Sequence, residues 1–256
     1  MHRIVIKVGT STLTQGSQKL SRRYMLSLVQ QIAHLRSKGL ELLLVCSGAT
    51  AMGRELLSSD KMELIVSKQT FASIGQVKLM QVWSELFSLF DIRVGQVLLT
   101  KDDFSSDKQH ITRDILSSLL QHKIIPIVNE NGALATKELC IGNNDRLAAL
   151  IANLISADTV ILLTDQEGLY TADPRRNSEA VLIPIVSQID EKIYALAGGS
   201  FTSLGTGGMA TKIEAAQMAA KTGAQTIIAS SFHPNVLIDL AEGRRVGTLF
   251  LEKEII

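Results

Sequence analysis

Ile4-Val5-Ile6-Lys7-Val8-Gly9-Thr10-Ser11 sets a short strand-forming run, apolar but for one lysine, against a turn of small residues. Side chains alternate between the faces of a strand, so a run apolar at consecutive positions suits a strand covered on both sides. Runs of the same kind recur at 42–46, 94–99, 124–128, 160–163 and 226–229. Between them lie helical patterns, clearest at 22–38, where Met25, Leu28, Val29, Ile32 and Leu35 form one stripe and Gly39 supplies a stop. Strand and helix alternate along the chain. The alternation predicts an α/β fold, a three-layer sandwich in which a mainly parallel sheet carries helices on both faces. In such sheets ligands gather beyond the carboxyl ends of the strands, so the residues that follow each run are the ones to search.

Composition narrows the function classes. The chain has 256 residues, 46% hydrophobic and 20% charged, enough apolar surface to offset its ordering entropy, which excludes disorder as the main state. Basic and acidic side chains number 26 and 25, and 4% of residues are aromatic. A phosphate backbone would find no broad basic field and bases few stacking partners, so nucleic acid is not an expected partner. Cys46 and Cys140 show no CxxC spacing and suit reduced thiols. The start, Met1-His2-Arg3, turns polar before a signal-peptide core can form, and no apolar run approaches the roughly 18 residues of a membrane span. A cytoplasmic protein without a membrane partner is expected, read as one continuous unit over 1–256.

Lys7 stands out chemically, because an ammonium inside an apolar strand is costly to bury without an anionic partner, and a phosphate at the strand end would be one. Ser47-Gly48-Ala49 ends the second run in another small-residue turn, although either turn alone is also an ordinary strand-to-loop connection. Gly205-Thr206-Gly207-Gly208-Met209-Ala210-Thr211-Lys212 opens a helical run at 213–222 and offers hydroxyl and ammonium donors at a helix N-terminus, an anion cradle. It lacks the GxxxxGK[ST] spacing of a Walker A loop. Asn129-Glu130-Asn131-Gly132 and Gly142-Asn143-Asn144-Asp145 are polar clusters; Asn144 or Asp145 is a candidate helix cap, but capping needs only one such residue. Thr164-Asp165 follows the run at 160–163, where a base or ribose can be read. The histidines, at 2, 34, 110, 122 and 233, have no metal-ligand spacing. Strand-end lysines, glycine turns and an aspartate without a histidine or cysteine constellation suit phosphoryl transfer organised by positioning and charge.

These residues resemble the amino-acid kinase superfamily, and within it the branch that phosphorylates the side-chain carboxylate of L-glutamate. The resemblance runs from Ile4 to Phe250 and rests on the Lys7 strand, Ser47-Gly48-Ala49 with Gly53-Arg54, Ser67-Lys68-Gln69, Val94-Gly95-Gln96 with Leu98-Leu99-Thr100, the segment 163–175, and 205–212. It implies an ATP-dependent kinase, with Mg²⁺ carried by the nucleotide and no metal held by the protein. By the same resemblance Lys7, Asp145 and Lys212 are catalytic. Lys7, Thr164, Asp165, Thr206, Gly207, Gly208, Met209, Ala210, Thr211 and Lys212 line the ATP site, and Ser47, Gly132 and Asn144 the glutamate site. The N-terminal part would then serve mainly the substrate and the C-terminal part mainly ATP. A homo-oligomer is implied, without the C-terminal RNA-binding-like PUA module that many members carry. Two positions depart from the family pattern: aspartate is usual at 132 and common at 143, where this chain has Gly132 and Asn143.

Overall fold

The computed structural model describes residues 1–17, 19–57, 67–198 and 208–251. Its strands are β1 (Arg3–Val8), β2 (Glu41–Cys46), β3 (Val94–Leu99), β4 (Ile125–Glu130), β5 (Thr159–Thr164), β6 (Ile185–Val186), β7 (Gln225–Ser230) and β8 (Thr248–Phe250). They form one sheet in the order β3-β4-β2-β1-β5-β7-β8-β6, and every neighbouring pair is parallel except β7 with β8. All six runs read from the sequence are strands. The two short strands β6 and β8 escape such a reading because two or three residues carry no periodic signal.

The helices are α1 (Thr10–Thr14), α2 (Arg22–Ser37), α3 (Ala49–Leu57), α4 (Lys68–Ser88), α5 (Gln109–Gln121), α6 (Asn144–Leu154), α7 (Glu191–Leu196), α8 (Met209–Ala220) and α9 (Val236–Ala241). Strand alternation divides the core. Ile4, Ile6 and Val8 of β1 face the layer holding α2, α4 and α9, whereas Val5 faces the layer of α5, α6 and α8 with Val45, Val128, Val160 and Leu162. Each fully buried aliphatic side chain in these layers contributes about 1.5–3 kcal/mol. Lys7 falls two residues after Val5, so the same alternation directs it to the α6 and α8 side.

Local signals explain the helix bounds. Ser21 accepts a hydrogen bond from the Tyr24 N–H at the start of α2, the whole predicted stripe is buried, and Gly39 follows the last turn. At α6 the cap is Asn143, whose side chain accepts from the Arg146 N–H. Capping therefore uses neither Asn144 nor Asp145 and leaves both for other work. α3 and α4 cross with their backbones in contact: a Cβ at Gly75 would lie 1.8 Å from the Ala49 carbonyl oxygen, and one at Gly53 would lie 2.0 Å from that of Phe71. α4 buries Leu79, Val82, Trp83 and Phe87 on one side while Val77, on the other, is 73% exposed.

Candidate active site

The chain runs from β1 outward through β2 to the β3 edge and then resumes on the other side of β1 with β5, so β1 is the point where strand order reverses. A crevice at the carboxyl ends is expected there. A cleft of about 540 Å³ occupies that place, and its walls include the ends of β1, β2, β4 and β5 and the first turns of α6 and α8. This volume is within the range of about 300–1,000 Å³ common for small-molecule sites.

At its centre Lys7 Nζ lies 2.6 Å from Asp145 Oδ1, and Lys212 Nζ lies 3.1 Å from Asp145 Oδ2. Thr211 Oγ1 donates to the same Oδ2 at 2.9 Å. Asp145, in the first turn of α6, is 2% exposed, and its carboxylate is the buried anionic partner that Lys7 requires. Burial works against the charged carboxylate, but Lys7 and Lys212 outweigh it and hold the Asp145 pKa below the ordinary value. Burial also lowers the Lys7 pKa below its ordinary 10.5, with Lys212 adding to the fall and Asp145 opposing it. Two ammonium groups against one carboxylate leave the cluster with a formal excess of one positive charge.

α8 brings a further donor set. Gly208 precedes its first turn with φ 139° and ψ −172°, a conformation that favours glycine, and among the described residues no atom stands within 4 Å of where its Cβ would be. The first-turn N–H groups of α8, which a helix leaves without intrahelical partners, sit beside Lys212 at the cleft wall. A second cleft of about 530 Å³ adjoins the first, sharing Asp165, Gln166, Gly208 and Met209 and continuing along Tyr170, Pro174 and Arg175.

The opposite end is a network of hydrogen-bonding side chains with one carboxylate, Glu130, at its edge. Asn144 Nδ2 lies 2.8 Å from Ser47 Oγ, 3.2 Å from the Cys46 carbonyl and 2.9 Å from Asn129 Oδ1, and Asn129 Nδ2 donates to Gln76 Oε1 at 3.0 Å. Glu130 accepts from the Ile141 N–H at 2.5 Å and so ties the segment before α6 to the end of β4. Gly132 lines the same cleft, with a would-be Cβ 2.8 Å from the Ala72 Cβ.

The structure therefore brings together Lys7, Ser47, Gly132, Asn144, Asp145, Thr164, Asp165, Gly208, Met209 and Lys212 on one cleft. Thr211 reaches it through Asp145, while Ala210 lies behind in the first turn of α8. Thr206 and Gly207 lie outside the described residues. Gln76 was not legible in the sequence, because its meeting with Asn129 depends on how α4 crosses β4. Among the described residues no group of three or more His, Cys, Asp or Glu side chains is placed to hold a metal ion, and no helix is long and apolar enough to cross a membrane.

Two lysines, one on a strand and one on a helix, bridged by one aspartate at the switch point of a parallel sheet, are an arrangement suited to binding phosphate in an α/β protein. The sequence matches the amino acid kinase family over residues 2–230, and the chain belongs to that family. Glutamate 5-kinases are among the curated relatives that it matches. That of Haemophilus influenzae (strain PittGG) is 50% identical over 250 residues, spanning 97% of this chain and 68% of the relative. Those of Pasteurella multocida (strain Pm70) and Escherichia coli O1:K1 / APEC are each 49% identical over 249 residues, covering 96% of this chain and 68% of theirs. Among solved structures, UMP kinases from Bacillus anthracis and Ureaplasma parvum superpose with a TM-score of 0.67 at 14% and 15% identity. Each spans 98% of this chain, against 96% and 98% of the respective UMP kinase, a likeness of fold alone.

Proposed function

We propose that the chain transfers the γ-phosphoryl group of ATP to the side-chain carboxylate of L-glutamate, giving glutamyl 5-phosphate and ADP, the first step of proline biosynthesis. The observation that carries this reading is the buried Lys7–Asp145–Lys212 cluster facing a cleft whose other end is rich in hydrogen-bonding side chains, among them Ser47, Asn129 and Asn144. A glutamate side chain has a reference pKa of about 4.3, so near neutral pH it is already a nucleophile and needs no general base. The obstacle is charge. Two unit charges of like sign 4 Å apart repel by about 4 kcal/mol at an effective dielectric of 20, and a triphosphate presents several.

In this reading Lys7 and Lys212 meet the charge that develops on the transferring group, and Asp145 holds both ammonium groups in place between turnovers. Thr164, Asp165 and the stretch 206–212 receive ATP, with the α8 N-terminus at its phosphates and the adjoining cleft for the rest of the nucleotide. The donor set of Lys7, Lys212 and the α8 N-terminus fits a polyphosphate. Mg²⁺, carried in by the nucleotide, supplies further neutralisation when bound. Ser47, Asn144 and the backbone around Gly132 hold the acceptor. The whole of 1–256 acts as one kinase domain, its N-terminal part mainly for substrate and its C-terminal part mainly for ATP. A homo-oligomer in the cytoplasm is part of the same reading, supported by Ile74 and Val77 exposed on α4 beside the edge strand β3.

Hydroxamate trapping tests the reaction directly. Incubation with glutamate, ATP, Mg²⁺ and hydroxylamine should yield γ-glutamyl hydroxamate in step with ADP. ADP release without hydroxamate, or release only with a different acceptor, sinks the reading.

A further inference from the structure

We propose that Gln76, a residue of α4 that does not itself line the cleft, sets the hydrogen-bond polarity of the acceptor end so that Ser47 presents a donor to a carboxylate substrate. The inference rests on reading the site as a glutamate kinase. Its starting point is the Cys46 backbone carbonyl, which can only accept. It lies 3.2 Å from Asn144 Nδ2 and so fixes which way that amide faces. Asn129 must then turn its oxygen to Asn144, at 2.9 Å, which leaves its nitrogen to donate to Gln76 Oε1 at 3.0 Å. One backbone carbonyl thereby orders three side-chain amides.

Gln76 Nε2 is buried and has no hydrogen-bonding partner among the described residues. The side chain is 8% exposed, and its one polar contact is the acceptance from Asn129. An amide buried with its donor unsatisfied is unfavourable by itself, so what it contributes lies in that single acceptor. With no acceptor at 76, Asn129 has two poor choices. It either leaves a buried N–H₂ unpaired or flips and sets donor against donor at Asn144. Asn144 Nδ2 has two hydrogens for three acceptors: the short contacts to Ser47 Oγ at 2.8 Å and Asn129 Oδ1 at 2.9 Å take one each, and the Cys46 carbonyl at 3.2 Å shares one of them, so Ser47 Oγ accepts and its own proton is free. Ser47 lines the cleft, and a carboxylate, which only accepts, is the group such a hydroxyl meets. Gln76 is thus a positioning residue that acts through Asn129 and Asn144 on Ser47.

The experiment compares Gln76→Leu and Gln76→Glu, each in the wild-type and Ser47→Ala backgrounds, with KM for glutamate and for ATP measured separately and thermal unfolding as the check on folding. Gln76→Leu should raise the glutamate KM about tenfold or more while the ATP KM stays within about twofold. Gln76→Glu should keep the glutamate KM within about threefold, because its carboxyl still accepts from Asn129 and Nε2 has no partner to lose. In the Ser47→Ala background, Gln76→Leu should add less than about threefold, since nothing remains to be oriented. An unmoved glutamate KM in Gln76→Leu, an equal rise in a folded Gln76→Glu, or full additivity with Ser47→Ala overturns the inference. Should Gln76→Leu fail to fold, Gln76→Met takes its place with the same expectation. A wild type that forms no acyl phosphate from glutamate overturns the functional reading as well, so the two failures are told apart.

Discussion

Lys7 and Gly132, both on the cleft, make the proposed chemistry testable at single positions. Burial lowers the Lys7 pKa, so its ammonium is lost on a rising pH scale before that of an ordinary lysine at 10.5. The alkaline limb of kcat/KM is therefore expected to begin below 10.5. In Lys7→Arg, whose guanidinium stays charged, that limb should move up even if the plateau falls; a limb unchanged in the variant assigns it elsewhere. Asp145 acts with the opposite sign. Its pKa is depressed on folding, so its stabilisation is fully present above the unfolded value of about 3.9 and is lost as pH falls through its lower folded value. In the proposed reaction Lys212→Ala removes a charge that meets the transferring phosphoryl, and kcat/KM should drop about tenfold or more, at least about 1.4 kcal/mol of transition-state stabilisation. At Gly132 the backbone is not in a left-handed conformation, so conformational strain does not explain the glycine; the obstacle to a side chain is the Ala72 Cβ, 2.8 Å from the place a Cβ would take. Gly132→Asp should lower the melting temperature, as overpacking costs about 1–3 kcal/mol, and Ala72→Gly in the same chain should return much of the loss despite the cost of about 0.5–1 kcal/mol for a helical glycine. No recovery in the double variant would show that Ala72 is not what excludes the side chain.

Among the elements, α4 is the one that joins core to site. Its buried side holds Leu79, Val82, Trp83 and Phe87 in the core, and its N-terminal half brings Ala72 and Gln76 to the acceptor end. The crossing with α3 depends on glycine. A methyl group at Gly75 would overlap the Ala49 carbonyl oxygen at 1.8 Å and the Gly53 nitrogen at 2.4 Å, atoms of backbone that cannot rotate away. An alanine in an ordinary helix interior is stabilising relative to glycine, so the local preference and the packing here point in opposite directions. Packing wins at these distances. Gly75→Ala should lower thermal stability and raise the glutamate KM together, since separating the helices moves Gln76 and Ala49 with them. A variant as stable as the parent would mean that the crossing relaxes without cost. Cys46, in β2, adds a simpler check: burial pushes its thiol up to about 12, so a thiol reagent should label Cys140 and spare Cys46 until the chain unfolds.

At the scale of the whole molecule, the two ends of the cleft belong to different stretches of chain, with Ser47 after β2 on one side and Gly208 before α8 on the other. Ligand-induced thermal shifts should therefore separate. A ligand at 100 times its Kd stabilises by about 2.7 kcal/mol, and Gly208→Ala, strained at φ 139°, should lose much of the nucleotide shift but keep the glutamate shift. Ser47→Ala should do the reverse, and equal loss of both shifts in either variant would show the ends to be one site. Of the eight strands among the described residues, six were legible in the sequence because each is a run long enough to be apolar on both faces, and the lysine, glycine turns and Asn-Asn-Asp cluster were legible because residues of that kind fit poorly in a plain core. The amino-acid sequence determined by itself the α/β alternation, the buried stripe of α2 and the need of Lys7 for an anionic partner, since periodicity and the cost of burying charge act locally. Tertiary structure alone decided that Asp145 bridges both lysines, that Asn143 takes the cap and releases Asn144, that Ala72 fills the space beside Gly132, and that Gln76 orders the amides behind Ser47. Those contacts join residues up to 138 positions apart in chain number, as from Lys7 to Asp145, and distances of that kind are set by sheet order and helix crossing, which no local pattern records.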